Sequence, residues 1–173
     1  MTTGTIRESY AIGSVRGTTY VGGLVGTVFA TGIIEDNYSL AQSVYAASVS
    51  GAVGGLLGTV ESDTEWNGVG TRGTTTSTVP TLIARNYVST VVTGGAAQEG
   101  LIGELSGELA QISESFWNRD LTASGTTGTG ITDAELRDQT TYGAWDFATP
   151  IWILDPSIAA YPYLAWQQQR GLE

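Results

Sequence analysis

The sequence predicts an all-β protein built as a right-handed parallel β-helix, or β-solenoid, with a short helix and an aromatic-rich C-terminal cap. Three observations predict this fold. Two short motifs recur in alternation, the segments between them are rich in β-branched and aromatic residues, and glycines interrupt the apolar runs. A β-sandwich or barrel is the alternative, because short strands separated by glycines also fit those folds.

The first motif reads Ile, two variable residues, Ser or Asn, then an aromatic residue. In its four copies, the isoleucine and the aromatic residue are Ile6 and Tyr10, Ile34 and Tyr38, Ile83 and Tyr87, and Ile112 and Phe116. On one straight strand the midway residue would share the face of both ends, yet every midway residue is charged. We therefore expect a bend in each copy, followed by a ladder of stacked Ser and Asn side chains.

The second motif reads Gly-Leu-x-Gly, or a close variant, and falls between copies of the first. Its three copies contain Gly23, Leu24 and Gly26; Gly55, Leu56 and Gly58; and Gly100, Leu101 and Gly103. The leucines can stack inward, while glycine permits a tight corner or a positive φ. One repeat is about 28 residues, too few to bury its own apolar face, so we expect neighbouring repeats to stack.

The middle repeat is longer than the others by about 21 residues, because the motif aromatics are spaced 28, 49 and 29 residues apart. Four of the extra residues precede Gly55, and the rest lie in the polar stretch 62–81. That stretch contains a threonine-rich run at 71–78, which we interpret as an excursion loop. Loops on a rigid scaffold carry specificity, so this is where we expect partner recognition.

Composition excludes several kinds of chemistry. The 173 residues contain no His and no Cys, and all seven cations are Arg. The chain therefore cannot build a histidine-based catalytic triad, a His- or Cys-ligated zinc site or a Schiff-base lysine. Its net charge of −10 disfavours binding to nucleic acid, and no apolar run is long enough for a membrane-spanning helix.

The C-terminal part, 118–171, is predicted to cap the repeats of 1–117. Thr132 and Glu135 have the spacing of a capping box, which predicts a short helix through about Asp138. Six aromatics follow, and we expect them to fold over the last repeat and cover its apolar end: Trp145, Phe147, Trp152, Tyr161, Tyr163 and Trp166. Leu172-Glu173 looks like a cloning scar, and the chain starts abruptly at a repeat. We therefore expect an excised fragment that can associate end to end.

These motifs resemble the GLUG repeat, named for glycine-leucine-any-glycine and found in large bacterial surface and secreted proteins, including filamentous adhesins. The resemblance covers roughly Gly4 to Trp117 and continues through Gly130-Ile131-Thr132-Asp133 to Tyr161-Pro162-Tyr163-Leu164-Ala165-Trp166, which looks like the closing segment after such repeats. Gln98-Glu99 before the third glycine motif and the insertion at 62–81 depart from the pattern. The resemblance implies a secreted or surface-displayed scaffold or adhesin and carries over no catalytic residues.

Two other functions remain open. The clustered aromatics could form a carbohydrate-binding platform, although their alternation with apolar neighbours favours a packed cap. A polysaccharide-degrading enzyme would need two carboxyl groups facing one groove. The candidate pairs are Asp36 with Asp63, Glu61 with Glu65, and Asp120 with Asp146.

No metal or cofactor is assigned from the sequence. The only local clusters that could suggest calcium are Asp36-Asn37 and Asn118-Arg119-Asp120, which we interpret as turns. The leading hypothesis is a non-enzymatic extracellular scaffold or adhesin segment at a bacterial surface. Its expected partner is a surface glycan or a protein receptor.

Overall fold

The computed structural model describes residues 4–29, 32–61, 65–66, 72–73, 80–106 and 110–168. Within those ranges the chain consists mostly of β-strands, with two four-residue helices and one short 3-10 turn. The predicted all-β class is confirmed. Leu172 and Glu173, interpreted as a cloning scar, lie outside the described residues.

The strands of the repeat region follow one another in sets that we call rungs. Rung 1 contains β1 (Gly4–Arg7), β2 (Tyr10–Gly17), β3 (Tyr20–Gly22) and β4 (Val25–Phe29). Rung 2 contains β5 (Gly32–Glu35), β6 (Tyr38–Ala46), β7 (Ala52–Gly54) and β8 (Leu57–Glu61). A short antiparallel hairpin follows, formed by β9 (Glu65–Trp66) and β10 (Arg72–Gly73).

The later elements continue the same order. Rung 3 contains β11 (Thr81–Ala84), β12 (Tyr87–Val88), β13 (Val91–Gly94), β14 (Ala97–Glu99) and β15 (Ile102–Ser106). Rung 4 contains β16 (Ala110–Ser113) and β17 (Phe116–Asn118). The remainder contains β18 (Thr129–Ile131), α1 (Asp133–Leu136), the 3-10 turn (Gln139–Thr141), β19 (Trp152–Ile153), β20 (Tyr163–Leu164) and α2 (Ala165–Gln168).

Equivalent strands of successive rungs pair in parallel and produce four sheets. Sheet 1 has the order β1-β5-β11-β16, sheet 3 is β14-β7-β3, and sheet 4 is β15-β8-β4. In sheet 2, β6 pairs with β2, β12 and β13, and β17 and β18 extend the sheet beyond β12. Each strand set therefore lies on the set before it, one hydrogen-bonded layer apart.

The two sequence motifs are in register across the rungs. In sheet 1 the four motif isoleucines are Cα partners in the order Ile6, Ile34, Ile83, Ile112. In sheet 2 the aromatics pair in the order Tyr10, Tyr38, Tyr87, Phe116. At the glycine motif, the Leu24 N–H donates to Leu56 O and the Leu56 N–H donates to Leu101 O, both at 2.9 Å.

The four extra residues before Gly55 occupy two places. One is a bulge in β6, where Ala41 faces Gly13 and Ser43 faces Ser14, so that Gln42 has no partner in β2. The other three lengthen the turn between β6 and β7 relative to the turn between β2 and β3. The rest of the insertion falls in the sequence between β8 and β11. Apart from the hairpin strands, its threonine-rich run lies outside the described residues.

The glycines of the second motif allow close packing of the backbone. A Cβ on Gly55 would lie 2.3 Å from the Gly100 oxygen, and one on Gly58 would lie 2.4 Å from the Gly26 oxygen. In the described residues, the glycines with positive φ are Gly13, Gly94, Gly95 and Gly128, none of which belongs to the motif. The motif glycines therefore allow neighbouring backbones to approach closely, and they do not serve to adopt a positive φ.

The core is formed by residues that occupy equivalent positions in successive rungs. Isoleucines of sheet 1 pack against the leucines of the glycine motif and the apolar residues of sheet 4, in a cluster that includes Ile34, Leu56, Ile83 and Leu101. Trp117 of rung 4 belongs to the same cluster. A second cluster fills the space between sheets 2 and 3, and includes Val21, Val44, Val53 and Val92. Burial of these side chains is the main term that stabilises the stack.

Each rung bends at the charged residue between Ile and the aromatic. These four residues have φ values of 45° to 57°, in the left-handed region that non-glycine residues rarely adopt: Glu8, Asp36, Arg85 and Glu114. We call them the corner residues. The predicted bend is therefore present in every copy, and it turns the chain from sheet 1 into sheet 2.

The segment between β17 and β18 crosses the exposed end of rung 3. The Thr122 hydroxyl donates to Thr90 O and accepts from the Val92 N–H, and Ser124 O accepts from the Gly100 N–H. The Thr127 hydroxyl accepts from the Ile102 N–H. This polar crossing, rather than the aromatic segment, covers the end of rung 3. The expectation that the six aromatics fold over that end is corrected by their position, described below.

The predicted helix start is present. Thr132 is the N-cap of α1, its hydroxyl accepts from the Glu135 N–H, and the Glu135 carboxylate accepts from the Thr132 N–H. The helix is shorter than expected: it ends at Leu136, and a separate 3-10 turn begins at Gln139. Asp138 is not helical. Its carboxylate caps the 3-10 turn through the Thr140 N–H.

The left-handed corner at Glu114 predicts that Glu114→Gly stabilises the protein. A non-glycine residue in this region carries about 1–2 kcal/mol of strain, partly offset by the greater freedom of glycine in the unfolded chain, so we expect a gain of about 0.5 kcal/mol. The measurement is the free energy of unfolding by chemical denaturation. Gln111→Gly, in the neighbouring strand β16, is the control and should destabilise by about 0.5–1 kcal/mol. Equal losses in both variants would contradict a strained corner.

Candidate functional site

A ladder of buried polar side chains follows the corner residues. Asn37 Oδ1 accepts from the Ser9 N–H at 3.0 Å, and Asn86 Oδ1 accepts from the Asn37 N–H at 3.1 Å. The Ser115 hydroxyl oxygen accepts from the Asn86 N–H at 3.2 Å. The Nδ2 groups of Asn37 and Asn86 donate to backbone carbonyls of sheet 1, including Ile6 O and Ile34 O. The predicted Ser/Asn ladder is therefore present and joins all four rungs.

Next to this ladder stand the motif aromatics, which form a column on sheet 2. The ring centroids of Tyr10 and Tyr38 are 5.3 Å apart, and those of Tyr38 and Tyr87 are 5.2 Å apart, with nearly parallel planes. Phe116 continues the column by backbone register and packs edge-on against Tyr142. We call these four residues the aromatic column. Offset aromatic contacts of this kind are favourable beyond the area they bury.

The aromatic segment of the C-terminal part lies along this column. It packs with Tyr38, Tyr87 and Phe116 in one cluster that contains five buried or partly buried members of the predicted cap: Trp145, Phe147, Trp152, Tyr161 and Trp166. Tyr163 is also buried, in β20. We call residues 142–168 the strap. It covers the side of the stack from rung 4 back to rung 1, so its position differs from the end cap that the sequence predicted.

Three tryptophans of the strap bind three different corner residues. Trp145 Nε1 donates to the Glu114 carbonyl at 3.0 Å, Trp152 Nε1 donates to Asp36 Oδ1 at 3.1 Å, and Trp166 Nε1 donates to the Glu8 carbonyl at 3.1 Å. These contacts reach rungs 4, 2 and 1 in that order. Along the chain, the strap therefore runs from rung 4 back to rung 1, opposite to the sequence order of the rungs.

The phenol groups of the column also bind the strap. The Tyr38 hydroxyl donates to Gln167 Oε1 at 2.8 Å, and the Tyr87 hydroxyl donates to Pro162 O at 2.6 Å. Burial raises the pKa of Tyr38 to about 12, although its hydrogen bond to Gln167 opposes the rise. Burial also raises the pKa of Tyr87 well above its ordinary value. Both phenols are therefore held in the neutral form.

The corner residue of rung 3 has a different partner. Arg85 Nη2 lies 2.7 Å from Asp36 Oδ2 and 2.7 Å from Glu35 Oε2, and Arg7 Nε lies 2.5 Å from Glu35 Oε1. The Asp36 hydrogen bond is the main cause of the raised pKa of Arg85, with Glu35 acting in the same direction. Asp36 is 3% exposed, so this pairing compensates its buried charge. The network aligns rungs 1, 2 and 3.

Three of the carboxyl groups considered for catalysis form hydrogen bonds within the fold, and a fourth, Glu61, is buried at the end of β8. Asp36 binds Arg85 and Trp152. Asp120 accepts from the Asp133 N–H, and Asp146 accepts from backbone N–H groups two and three residues ahead. Asp120 and Asp146 therefore bind different backbone groups. Asp63 and the side chain of Glu65 lie outside the described residues.

The two clusters considered as turns are turns in the structure. Asp36-Asn37 is the corner of rung 2, and Asn118 Oδ1 accepts from the Asp120 N–H. Asn118 Nδ2 also donates to Ser89 and Asp133. In the part of the chain with described side chains, no three acidic, His or Cys residues come together as possible metal ligands.

The strap aromatics are packed inward. Trp145 is 6% exposed, Trp152 is fully buried and Tyr163 is 3% exposed. Trp145 and Trp152 have ring centroids 4.4 Å apart, so their faces are in contact with each other and with the column. This favours the packed interpretation of these residues over a flat sugar-binding platform.

Comparison of the chain with protein-family models, curated proteins and solved structures found no match. Among the described residues, no helix is long and apolar enough to cross a membrane.

Sequence reasoning missed the bonds between the strap and the corner residues. The tryptophans were recognised as a cluster, but nothing in their spacing of seven and fourteen residues indicates which rung each one reaches. The sequence indicated only that each buried Trp needs a hydrogen-bond acceptor for its indole N–H, and not which residue supplies it. Two of the three acceptors are the backbone carbonyls of the corner residues Glu114 and Glu8.

The buried ladder predicts a large loss for Asn86→Ala. The substitution removes the acceptor of the Asn37 N–H and the donor to Ile34 O, so we expect the free energy of unfolding to fall by about 2–4 kcal/mol. Ser9→Ala is the matched control at the exposed end of the ladder and should change the free energy by less than about 1 kcal/mol. Comparable losses from both substitutions would show that the ladder does not hold the rungs together.

Burial of the column predicts alkaline instability. Because the pKa of Tyr38 is about 12 in the folded state and about 10 in the unfolded state, the folded state binds more protons between these values. The contribution of Tyr38 to stability is therefore fully present below pH 10 and is lost as the pH rises toward 12. The measurement is the free energy of unfolding against pH, with tyrosinate absorbance followed in parallel.

Tyr38→Phe is the control for this titration. It keeps the stacked ring but removes the phenol, so it should lower stability at neutral pH by about 1 kcal/mol through loss of the bond to Gln167. Above pH 10, the free energy of unfolding of this variant should fall less steeply than that of the natural sequence. An identical alkaline decline would mean that Tyr38 ionises without resistance from the fold.

Proposed function

We propose that the chain is a right-handed β-solenoid that serves as a non-enzymatic extracellular scaffold or adhesin segment of a large bacterial surface protein. The observation that supports this best is the use of the repeated residues. In every rung the motif residues bind the equivalent residues of the neighbouring rung, through parallel strands, the Ser/Asn ladder and the aromatic column. These residues build a rigid stack, which is what a display scaffold requires.

Several features favour a solenoid over a sandwich or barrel. All four sheets of the repeat region are parallel, whereas sandwiches and up-and-down barrels are mainly antiparallel. The same strand order returns in successive rungs, and each rung takes about one repeat of sequence. The right-handed sense follows the general preference of parallel crossovers.

A surface location is supported by the chemistry of the scaffold and by the resemblance of its motifs to GLUG repeats. The chain contains no cysteine, so an oxidising compartment cannot change its fold through disulfides, and burial of its apolar side chains stabilises it instead. The insertion at 62–81 falls in the sequence between the end of β8 and the start of β11. We propose it as the place where a glycan or protein receptor is recognised.

End-to-end association through rung 1 is part of the proposal. In the described part of the chain, β1, β3 and β4 are outermost in their sheets, and a cavity of about 360 Å³ between β1 and β4 is lined by Ile6, Val25 and Phe29, among others. Unpaired edges of this kind favour strand addition. Static light scattering should show a mass that rises with concentration, and a constant monomer mass up to millimolar concentration would refute the association.

The surface location is tested on the organism that encodes the chain. Intact cells are labelled with an antibody raised against the folded chain, before and after treatment with an external protease. We expect labelling of intact cells that the protease removes. An antibody signal that appears only after the cells are permeabilised would contradict the proposal.

A further inference from the structure

The strap holds the stack by contacts of unequal strength. Trp145 and Trp152 lie deep in the strap cluster, 6% and 0% exposed, and touch each other and Tyr87. Trp166 is only half-buried, and its hydrogen bond to the Glu8 carbonyl is exposed to solvent. Of the three strap tryptophans that bind corner residues, Trp166 is therefore the most exposed.

Trp166 lies on rung 1, the part of the stack that has least support among the described residues. Each strand of rung 1 pairs with rung 2 on one side only, within the residues that the structure describes. Tyr10 ends the aromatic column there, with Tyr38 on one face and Trp166 at a centroid distance of 5.8 Å. The start of the strap's last helix is tied to rung 2 separately, because Gln167 Oε1 accepts from the Leu164 N–H and from the Tyr38 hydroxyl.

We propose that the Trp166 side chain is a latch, which detaches locally and controls the order of rung 1 without unfolding rungs 2 to 4. When the latch is closed, the Trp166 ring covers Tyr10, and its indole N–H donates to the carbonyl of the left-handed corner residue Glu8. When it opens, the Tyr10 ring and the outer strands of rung 1 lose their C-terminal support. Trp145 and Trp152 keep the rest of the strap in place. Residues at opposite ends of the sequence, 158 positions apart, are thereby coupled.

Hydrogen exchange of backbone amides, measured by NMR on the full chain, tests the latch. Trp166→Ala should accelerate exchange in β2 by about tenfold, while amides of β12 and β17 keep their rates. Trp166→Phe retains the ring contact with Tyr10 but lacks the N–H donor, and should give a smaller acceleration confined to the same strands. Ile158→Ala, an exposed residue of the strap, is the matched control and should change no rate.

Two results would overturn the latch. Equal acceleration in all rungs after Trp166→Ala would show that Trp166 contributes only to global stability. Unchanged rates in β2 would show that rung 1 does not depend on the strap. Because Trp166 is half-buried, both Trp166 variants should fold, and circular dichroism spectra matching the natural sequence confirm that the exchange rates are comparable.

Discussion

The hydrogen-bonded corner between sheets 1 and 2 is the constraint on which the rest of the structure depends. A left-handed residue turns the chain there, and the Ser or Asn that follows binds the backbone of the adjacent rung. The turn places Ile on the core side and the aromatic residue on the outer side. If the corner were straight, the charged midway residues would share the face of both.

The aromatic column and the strap follow from this corner. Because every rung turns in the same way, the aromatics stack in register, and two corner carbonyls are left pointing outward as acceptors for indole N–H groups. The third tryptophan binds the Asp36 carboxylate, which Arg85 of the next rung also neutralises. A repeat structure normally gains stability only from its nearest neighbours. The strap adds contacts that span all four rungs and should make the stack more cooperative.

Much of this arrangement could be predicted from the sequence. The bend, the Ser/Asn ladder and the stacked aromatics follow from a periodic motif, because the same residues return at the same place in each repeat. The capping box at Thr132 is a local pattern and was equally visible. The position of the strap was not predictable, since it depends on non-repeating contacts such as Trp166 with Glu8. The covering role of Thr122 and Thr127 was missed because hydroxyls that bind backbone groups have no sequence period.

The most direct test of the corner is the exchange of the side-chain amide hydrogens of Asn37 and Asn86, measured by NMR. Exposed Asn side chains exchange freely with water, whereas both groups here are fully buried and bonded to Ile6 O, Ile34 O and each other. The structure predicts protection comparable to that of backbone amides in β6. Exchange at the rate of an exposed Asn would contradict the ladder and, with it, the stacking of the rungs.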